Sequence, residues 1–313
     1  MYERMPMKCK DLISIADLLP SDIEEIFTVT RELKEWHAKG YDEKCLNGKI
    51  LGMIFEKSSM RTRVSFEVAM VQLGGHAIYL TQGDINLGKR EAVKDGARVL
   101  SRYVDGIVIR TFGQETIQEL ARYATVPVIN ALSDYLHPCQ ALTDMYTIKE
   151  KFGTYTNVKI AYIGDGNNVA RSLAQICAKL GIHFYVASPK GYELSSEFLA
   201  KAKQMAEGYD VIHLSHDPKE VAKNAQVLYT DTWVSMGQEA EKAVRQQAFR
   251  DFQINNDIVK LAKNDVKVMH CLPAHRGEEI TDDVLDGPNS IVYDQAENRL
   301  HVEKALLKLL LRK

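Results

Sequence analysis

Short runs rich in valine, isoleucine and tyrosine punctuate the first half of the chain at KILGMIF (49–55), HAIYLT (76–81), GIVIRT (106–111) and VPVIN (126–130). The second half continues with VKIAYIG (158–164), HFYVAS (183–188), YDVIHLS (209–215), VLYTD (227–231), VKVMHCL (266–272) and SIVYD (290–294). Each run is nearly continuous in apolar character, the pattern of strands buried on both faces. Segments of helical period separate them, which predicts an α/β fold with parallel sheets wound by helices on both sides. Ten strands are too many for one ordinary sheet, so two sheets are expected. The best seam between them is the charged, glycine-containing stretch KEKFGTYTN (149–157).

The polar residues have their own order: they follow the strands. SSMRTR comes after the first run, Arg110 and Thr111 end the third, and SDYLHPCQ follows the fourth. GDGNN, DTWVSMG and HCLPAHRG occupy the equivalent places in the second half. Open parallel sheets bind ligands at the carboxyl ends of their strands, so these clusters mark the expected binding crevices.

Composition narrows the class of partner. With 40 basic and 42 acidic residues the net charge is -2, and no basic block points to nucleic acid or an anionic membrane surface. No apolar stretch is long enough to span a membrane, and the start lacks a signal core. Five scattered cysteines form neither a disulfide framework nor a zinc pattern, which suits a cytoplasmic protein of a reducing compartment. His213-x-x-His216 and the His270-Cys271 pair lack further ligands at usual spacing, so no metal is expected.

Ser59, Met60, Arg61, Thr62 and Arg63 sit where a strand ends and a helix begins. Unpaired N–H groups, hydroxyls and a guanidinium there suit a phosphate, although capping with solvated arginines reads the same way. His137 and Gln140 flank a proline at a helix start and can polarise a carbonyl or hold an amide; a plain cap is the simpler alternative. The turn GDGNN lacks the third glycine of a dinucleotide fingerprint, having Val169 there, and no acid ends the next strand. Asp165 and the asparagines fit a polar small molecule better than a pyrophosphate. Asp231 could hold an ammonium group, with Ser235, Met236 and Gly237 forming a segment able to move over a ligand, or a simple surface loop. Cys271, beside Leu272 and Pro273, could be a nucleophile, a proton acceptor, a weak donor or a core residue.

Taken as a set, FEKSSMRTRVSFE, HPCQ, DTWVSMG and HCLP resemble the aspartate and ornithine carbamoyltransferase family, the last two its ornithine branch. The resemblance covers essentially the whole chain. It implies two doubly wound domains linked by long helices: 1–149 for carbamoyl phosphate, 150–297 for the amino acid, and a helix over 298–313 returning to the first. It implies a carbamoyl phosphate site of Ser59, Met60 through its backbone, Arg61, Thr62, Arg110, His137 and Gln140, completed from the other domain by Cys271, Leu272 and Arg299. L-ornithine would be held by Asn168, Asp231, Ser235 and Met236, with Arg61, Arg110, His137 and Cys271 in the catalytic roles. The implied reaction forms L-citrulline and phosphate without a cofactor, in a homotrimer or assembly of trimers with active sites at subunit interfaces.

Two positions depart from the family pattern. Met60 stands where threonine is usual, removing one hydroxyl but no charge. In the loop TQGDINLGKRE, Asn86 occupies the place of a Gln or His that reaches a neighbouring subunit's carbamoyl phosphate site, and Gln82 is offset from it. The rival readings are a carbamoyltransferase for putrescine, acetylornithine or aspartate, a nicotinamide-dependent dehydrogenase, and a non-catalytic binding protein on the same fold.

Overall fold

A computed structural model describes residues 7, 9–85 and 87–312. The chain forms two compact units, one running through Thr143 and regained from Asn298 onward, the other Asp144–Glu297. Each is an α/β unit built on a parallel sheet flanked by helices.

In the first unit the strands are β1 (Ile50–Phe55), β2 (His76–Thr81), β3 (Gly106–Arg110) and β4 (Val128–Leu132). They lie in the order β2-β1-β3-β4, every pair parallel. Helix α1 (Pro20–Ala38) precedes them, and α2 (Met60–Leu73), α3 (Val93–Leu100) and α4 (Gln114–Tyr123) connect them. Helix α5 (Pro138–Phe152) leaves β4 and crosses into the second unit's residues. The α2 start follows from Ser59, whose Oγ accepts the Thr62 N–H at 3.3 Å, and its end from Gly74, which takes the left-handed φ of 88°. Ile54, Ile107, Ile109 and Val128 from the sheet pack with Ile117 and Leu120 of α4.

The second unit has β5 (Ile160–Ile163), β6 (Phe184–Ala187), β7 (Ile212–Ser215), β8 (Val227–Thr230) and β9 (Lys267–His270), in the parallel order β7-β6-β5-β8-β9. Its helices are α6 (Asn168–Leu180), α7 (Ser196–Met205), α8 (Pro218–Ala222), α9 (Lys242–Ala248), α10 (Asn256–Val259) and α11 (Asp282–Leu285). Helix α12 (Val292–Leu311) then carries the chain back to the first unit's residues.

Two expectations are corrected here. Burial on both faces holds for β1 and β3 but not for β2, which is an edge strand with alternating exposure. The opposite edge of that sheet is covered, since the Leu12 N–H donates to Val128 O at 2.9 Å and the Asn130 N–H donates to Leu12 O at 2.8 Å. The tenth run, SIVYD, is not a strand. Ser290 makes one isolated bridge to Val268, and from Val292 the chain is helical. Buried Val292, Gln295, Asn298, Arg299 and Val302 recur at helical spacing, which overrides the short apolar run.

The returning part of α12 is tied into the first unit by polar anchors around its apolar face. Lys34 Nζ donates to Asn298 Oδ1 at 2.7 Å, Lys304 pairs with Asp42 at 3.0 Å, and Lys308 pairs with Glu43. Leu306, Leu307, Leu310 and Leu311 are buried.

Candidate active site

Both sheets reverse their winding at one point. From β1 the chain moves outward to β2 and then returns to β3 on the other side of β1; from β5 it moves through β6 and β7, then returns to β8. At such a switch point the connections after the two central strands part, leaving a crevice at their carboxyl ends. SSMRTR follows β1 and Arg110 ends β3; GDGNN follows β5 and Asp231 follows β8. The polar clusters therefore occupy the switch points of the two sheets.

In the first unit, Ser59 caps α2 and its Oγ also donates to Thr62 Oγ1 at 3.1 Å. Arg61, in the first turn, is half-buried. Thr62 is buried and receives Arg299 Nη2 at 3.5 Å; Arg299 Nη1 donates to Gln140 Oε1 at 2.6 Å. Arg299 is thus borne by the first unit, on α12, and not by the second as the resemblance implied. Its guanidinium is oriented by Glu303, one helical turn on, whose Oε1 accepts from Nε at 3.0 Å and Nη2 at 2.6 Å. Burial raises the Glu303 carboxyl above its ordinary value, opposed by Arg299 and by a hydrogen bond from Ser65. His137 is buried at the α5 start, and burial holds its imidazole well below the ordinary value. The cations Arg299 and Arg110 push in the same direction, so the ring is neutral at physiological pH.

The two remaining residues of the opening cluster face elsewhere. Arg63 pairs with Glu67 at 2.9 Å and lies 4.0 Å from the Tyr79 ring centroid. Met60 is 69% exposed, so its thioether adds nothing to a buried lining while its backbone remains at the helix start. Asn86 lies outside the described residues.

In the second unit the centre is Asp231, buried just past β8. Its Oδ1 accepts from Cys271 Sγ at 3.0 Å and its Oδ2 from Asn167 Nδ2 at 2.7 Å. Asn167 is the α6 cap: its Oδ1 accepts the Val169 and Ala170 N–H groups at 3.0 and 3.1 Å. One side chain thus starts the helix and aims the acid. Asn168, the expected ligand, is half-buried in the first turn of α6. Asp165 pairs with buried Arg245 at 2.9 Å; burial raises its carboxyl, with Arg245 opposing. The same Arg245 Nη1 donates to Trp233 O at 3.1 Å, tying α9 to the segment after Asp231. Ser235 and Gln238 close a turn, the Ser235 N–H donating to Gln238 Oε1 at 3.1 Å, and Met236 is exposed. Leu272 has a left-handed φ of 57°, and its N–H donates to His270 Nδ1 at 2.9 Å.

Asp231, His270 and Cys271 place potential ligand atoms within 4.8 Å of one another, a third group that linear spacing hides. Both His270 nitrogens are already engaged, Nδ1 by Leu272 and Nε2 by Glu279 at 3.0 Å. The sequence reading gave no positioning role to three groups, Asn167, Glu303 and Arg245. Asn167 and Glu303 had local signals, a cap before a helix and an arginine–glutamate pair four apart. Arg245 had none, since it lies far along the chain from Asp165. Among the described residues no helix is long and apolar enough to cross a membrane.

Comparison with known proteins agrees over nearly the whole chain. Residues 10–150 match the family model "Aspartate/ornithine carbamoyltransferase, carbamoyl-P binding domain", and residues 156–310 match the family's "Asp/Orn binding domain". An ornithine carbamoyltransferase of Pyrococcus abyssi is 54% identical over 97% of this chain and 96% of its own. One from Halalkalibacterium halodurans is 52% identical over 97% of this chain and 96% of its own. The solved structure of ornithine carbamoyltransferase from Pyrococcus furiosus superposes with a TM-score of 0.95 at 52% identity, covering 98% of this chain and 99% of that one.

Proposed function

The chain belongs to the aspartate/ornithine carbamoyltransferase family, and from that premise we propose how its residues perform the transfer. It is a carbamoyltransferase that moves the carbamoyl group of carbamoyl phosphate to the side-chain amine of L-ornithine, giving L-citrulline and phosphate. The observation that carries the assignment of roles is a neutral, buried His137 in the field of two arginines, one of them bonded to Gln140 and Thr62.

In this reading the phosphate lies at the α2 start, met by Ser59, the Met60 backbone N–H, Arg61 and Thr62. A helix start offers such N–H donors and a positive dipole end, which is why the missing threonine hydroxyl at Met60 is tolerable. Gln140 accepts the carbamoyl amide, while Arg110, His137 and the Thr62 hydroxyl face its carbonyl oxygen. A neutral imidazole donates one hydrogen bond there without surrendering a formal charge.

Asp231 pairs with the ornithine α-ammonium group, and Asn168, Ser235 and Met236 line the rest of the amino acid. The neutral side-chain amine attacks the carbamoyl carbon, the C=O electrons move onto oxygen, and an oxyanion forms. Its collapse breaks the C–O bond to phosphate and restores the carbonyl. The amine proton passes to a neighbouring base, with Cys271 orienting the amine and Leu272 supplying its backbone carbonyl. Each preorganised donor to developing charge is worth about 3 kcal/mol. Holding the two reactants in register supplies a comparable or larger share.

Product analysis with ornithine, putrescine, acetylornithine and aspartate tests the acceptor. Citrulline from ornithine is the expected result; turnover of another acceptor with none from ornithine would overturn it. Arg61→Ala should lower kcat by about a hundredfold, the scale of one lost donor. Near-normal turnover would reduce the Ser59–Thr62 stretch to a helix cap.

The assembly proposed is a homotrimer or a multiple of it, with Asn86 on a loop reaching the neighbouring subunit's site. Support comes from apolar side chains left exposed on one unit: Val64 and Val71, seven apart on α2, and Ile78 on edge strand β2. Light scattering should give three times the 35.4 kDa chain mass or a multiple of that; a monomer would exclude it. The compartment proposed is the cytoplasm, consistent with five cysteines that are all free thiols. The direction proposed is biosynthetic, towards arginine; a 54% identical ornithine carbamoyltransferase from Pyrococcus furiosus is named anabolic.

A further inference from the structure

Between β9 and α11 the chain folds back on itself and gathers three side chains of metal-ligand type. The Glu278 N–H donates to His275 O at 2.9 Å, closing a four-residue turn. Gly277 takes φ 82° at the third position, as a type II turn requires. The turn brings its end residues, His275 and Glu278, beside each other, and Glu279 follows directly. The His275 imidazole and the two carboxylates place ligand atoms within 4.8 Å of one another.

Glu279 supplies the observation that points to a ligand. The residue is wholly inaccessible to solvent. Its Oε1 accepts the His275 N–H at 2.6 Å and lies 3.0 Å from His270 Nε2, whereas its Oε2 is buried and makes no hydrogen bond. Among the described residues no lysine or arginine pairs with it, and a buried carboxylate is ordinarily paired or bound to a metal. Oε2 lies 3.7 Å from His275 Nδ1, too far for a hydrogen bond. Two ligands of one tetrahedral zinc ion stand about 3.4 Å apart, so a shift of a few tenths of an ångström suffices. Glu278 is oriented from α9: Gln246 Nε2 donates to its Oε1 at 3.0 Å, and Lys242 lies 3.6 Å from the same oxygen. Such outer contacts are what aim a metal-binding carboxylate.

We propose that His275, Glu278 and Glu279 form a binding site for a divalent transition-metal cation of the zinc type, through one imidazole and two carboxylates. The cation neutralises both carboxylates, one of them buried, and water fills the remaining position. Paired cysteines or histidines do not mark this site in the sequence, because a single histidine and two glutamates carry it.

Cobalt(II) tests the site, since its absorption reports the ligands directly. Titration of the protein should show one equivalent bound per chain, with visible ligand-field bands and no sulfur-to-cobalt charge-transfer band, and zinc should displace it. The missing sulfur band separates this site from Asp231, His270 and Cys271, whose thiolate gives one. In His275→Ala, and in Glu278→Gln, which keeps an acceptor for Gln246, cobalt affinity should fall at least about a hundredfold, the upper end of what losing an outer partner costs. Citrulline formation without added metal should match the parent in both variants. Zinc should raise the Tm of the parent more than that of either variant. No saturable cobalt binding by the parent, a sulfur band at saturation, or parental affinity in either variant overturns the proposal.

Discussion

Asn167 does two jobs with one side chain, and the two are separable by substitution. Asn167→Ala removes the α6 cap and the bond to Asp231, so it should lower stability by about 1 kcal/mol. It should also raise the KM for ornithine by about tenfold, the scale of one lost bond to a charged group. Thermal melts and ornithine saturation curves read the two effects independently. Asn167→Asp keeps an equally good cap and sets a second carboxylate beside Asp231, so stability at the cap survives while ornithine binding falls further. The sequence singled out Asn168 in this turn as a ligand and gave Asn167 no contact with Asp231. A ligand-facing asparagine and a capping asparagine are indistinguishable until Asp231, 64 positions on, is seen to lie against one of them. His137 and Gln140 were legible because their spacing alone put them together at a helix start. The tie to Arg299 was not, because 159 positions separate the partners.

At the scale of elements, the β5–α6 turn is the most demanding piece of backbone in the second unit. A Cβ on Gly166 would lie 2.6 Å from the Glu193 carbonyl carbon and 2.7 Å from the Leu194 nitrogen, both backbone atoms that cannot step aside. Its N–H also donates to Tyr192 O at 2.8 Å. Gly166→Ala should therefore destabilise the protein by about 2 kcal/mol, measurable by urea unfolding, and disturb the Asp165 and Asn167 contacts. The motif GDGNN suggested a cofactor fingerprint only by its spacing; its first demand is close packing of two chain segments. Central strands were easy to read from continuous apolarity. Edge strand β2 and the start of α12 were harder, because a short apolar run does not reveal whether it has one neighbour, two, or belongs to a helix.

Across the whole molecule, two buried histidines tie stability to pH with one sign. Burial lowers the His301 imidazole from 6.5 to about 3, helped by Lys34, Lys304 and His37, and lowers His137 well below its ordinary value. The unfolded chain then takes up the protons first. Their contribution is complete above the unfolded value and is lost as pH falls through the window below it, from 6.5 towards 3 for His301. Urea unfolding at about pH 7 and about pH 4.5 should show His301→Asn losing less stability than the parent over that interval, by on the order of 2 kcal/mol. Equal losses in both proteins would exclude His301 as a source of acid sensitivity.

The first unit is interrupted in the chain, whereas the second is one continuous span. During synthesis the second unit has all of its residues before the first does, although the first began earlier. The segment that closes the first unit also carries Arg299, the group that joins Thr62 to Gln140. A nascent chain halted before Asn298 therefore has both residues of the Asp231–Cys271 pair and lacks the arginine that joins Thr62 to Gln140. The link between Thr62 and Gln140 therefore arrives only with the returning helix, so the order of translation leaves this buried contact until after every residue of the second unit has been made.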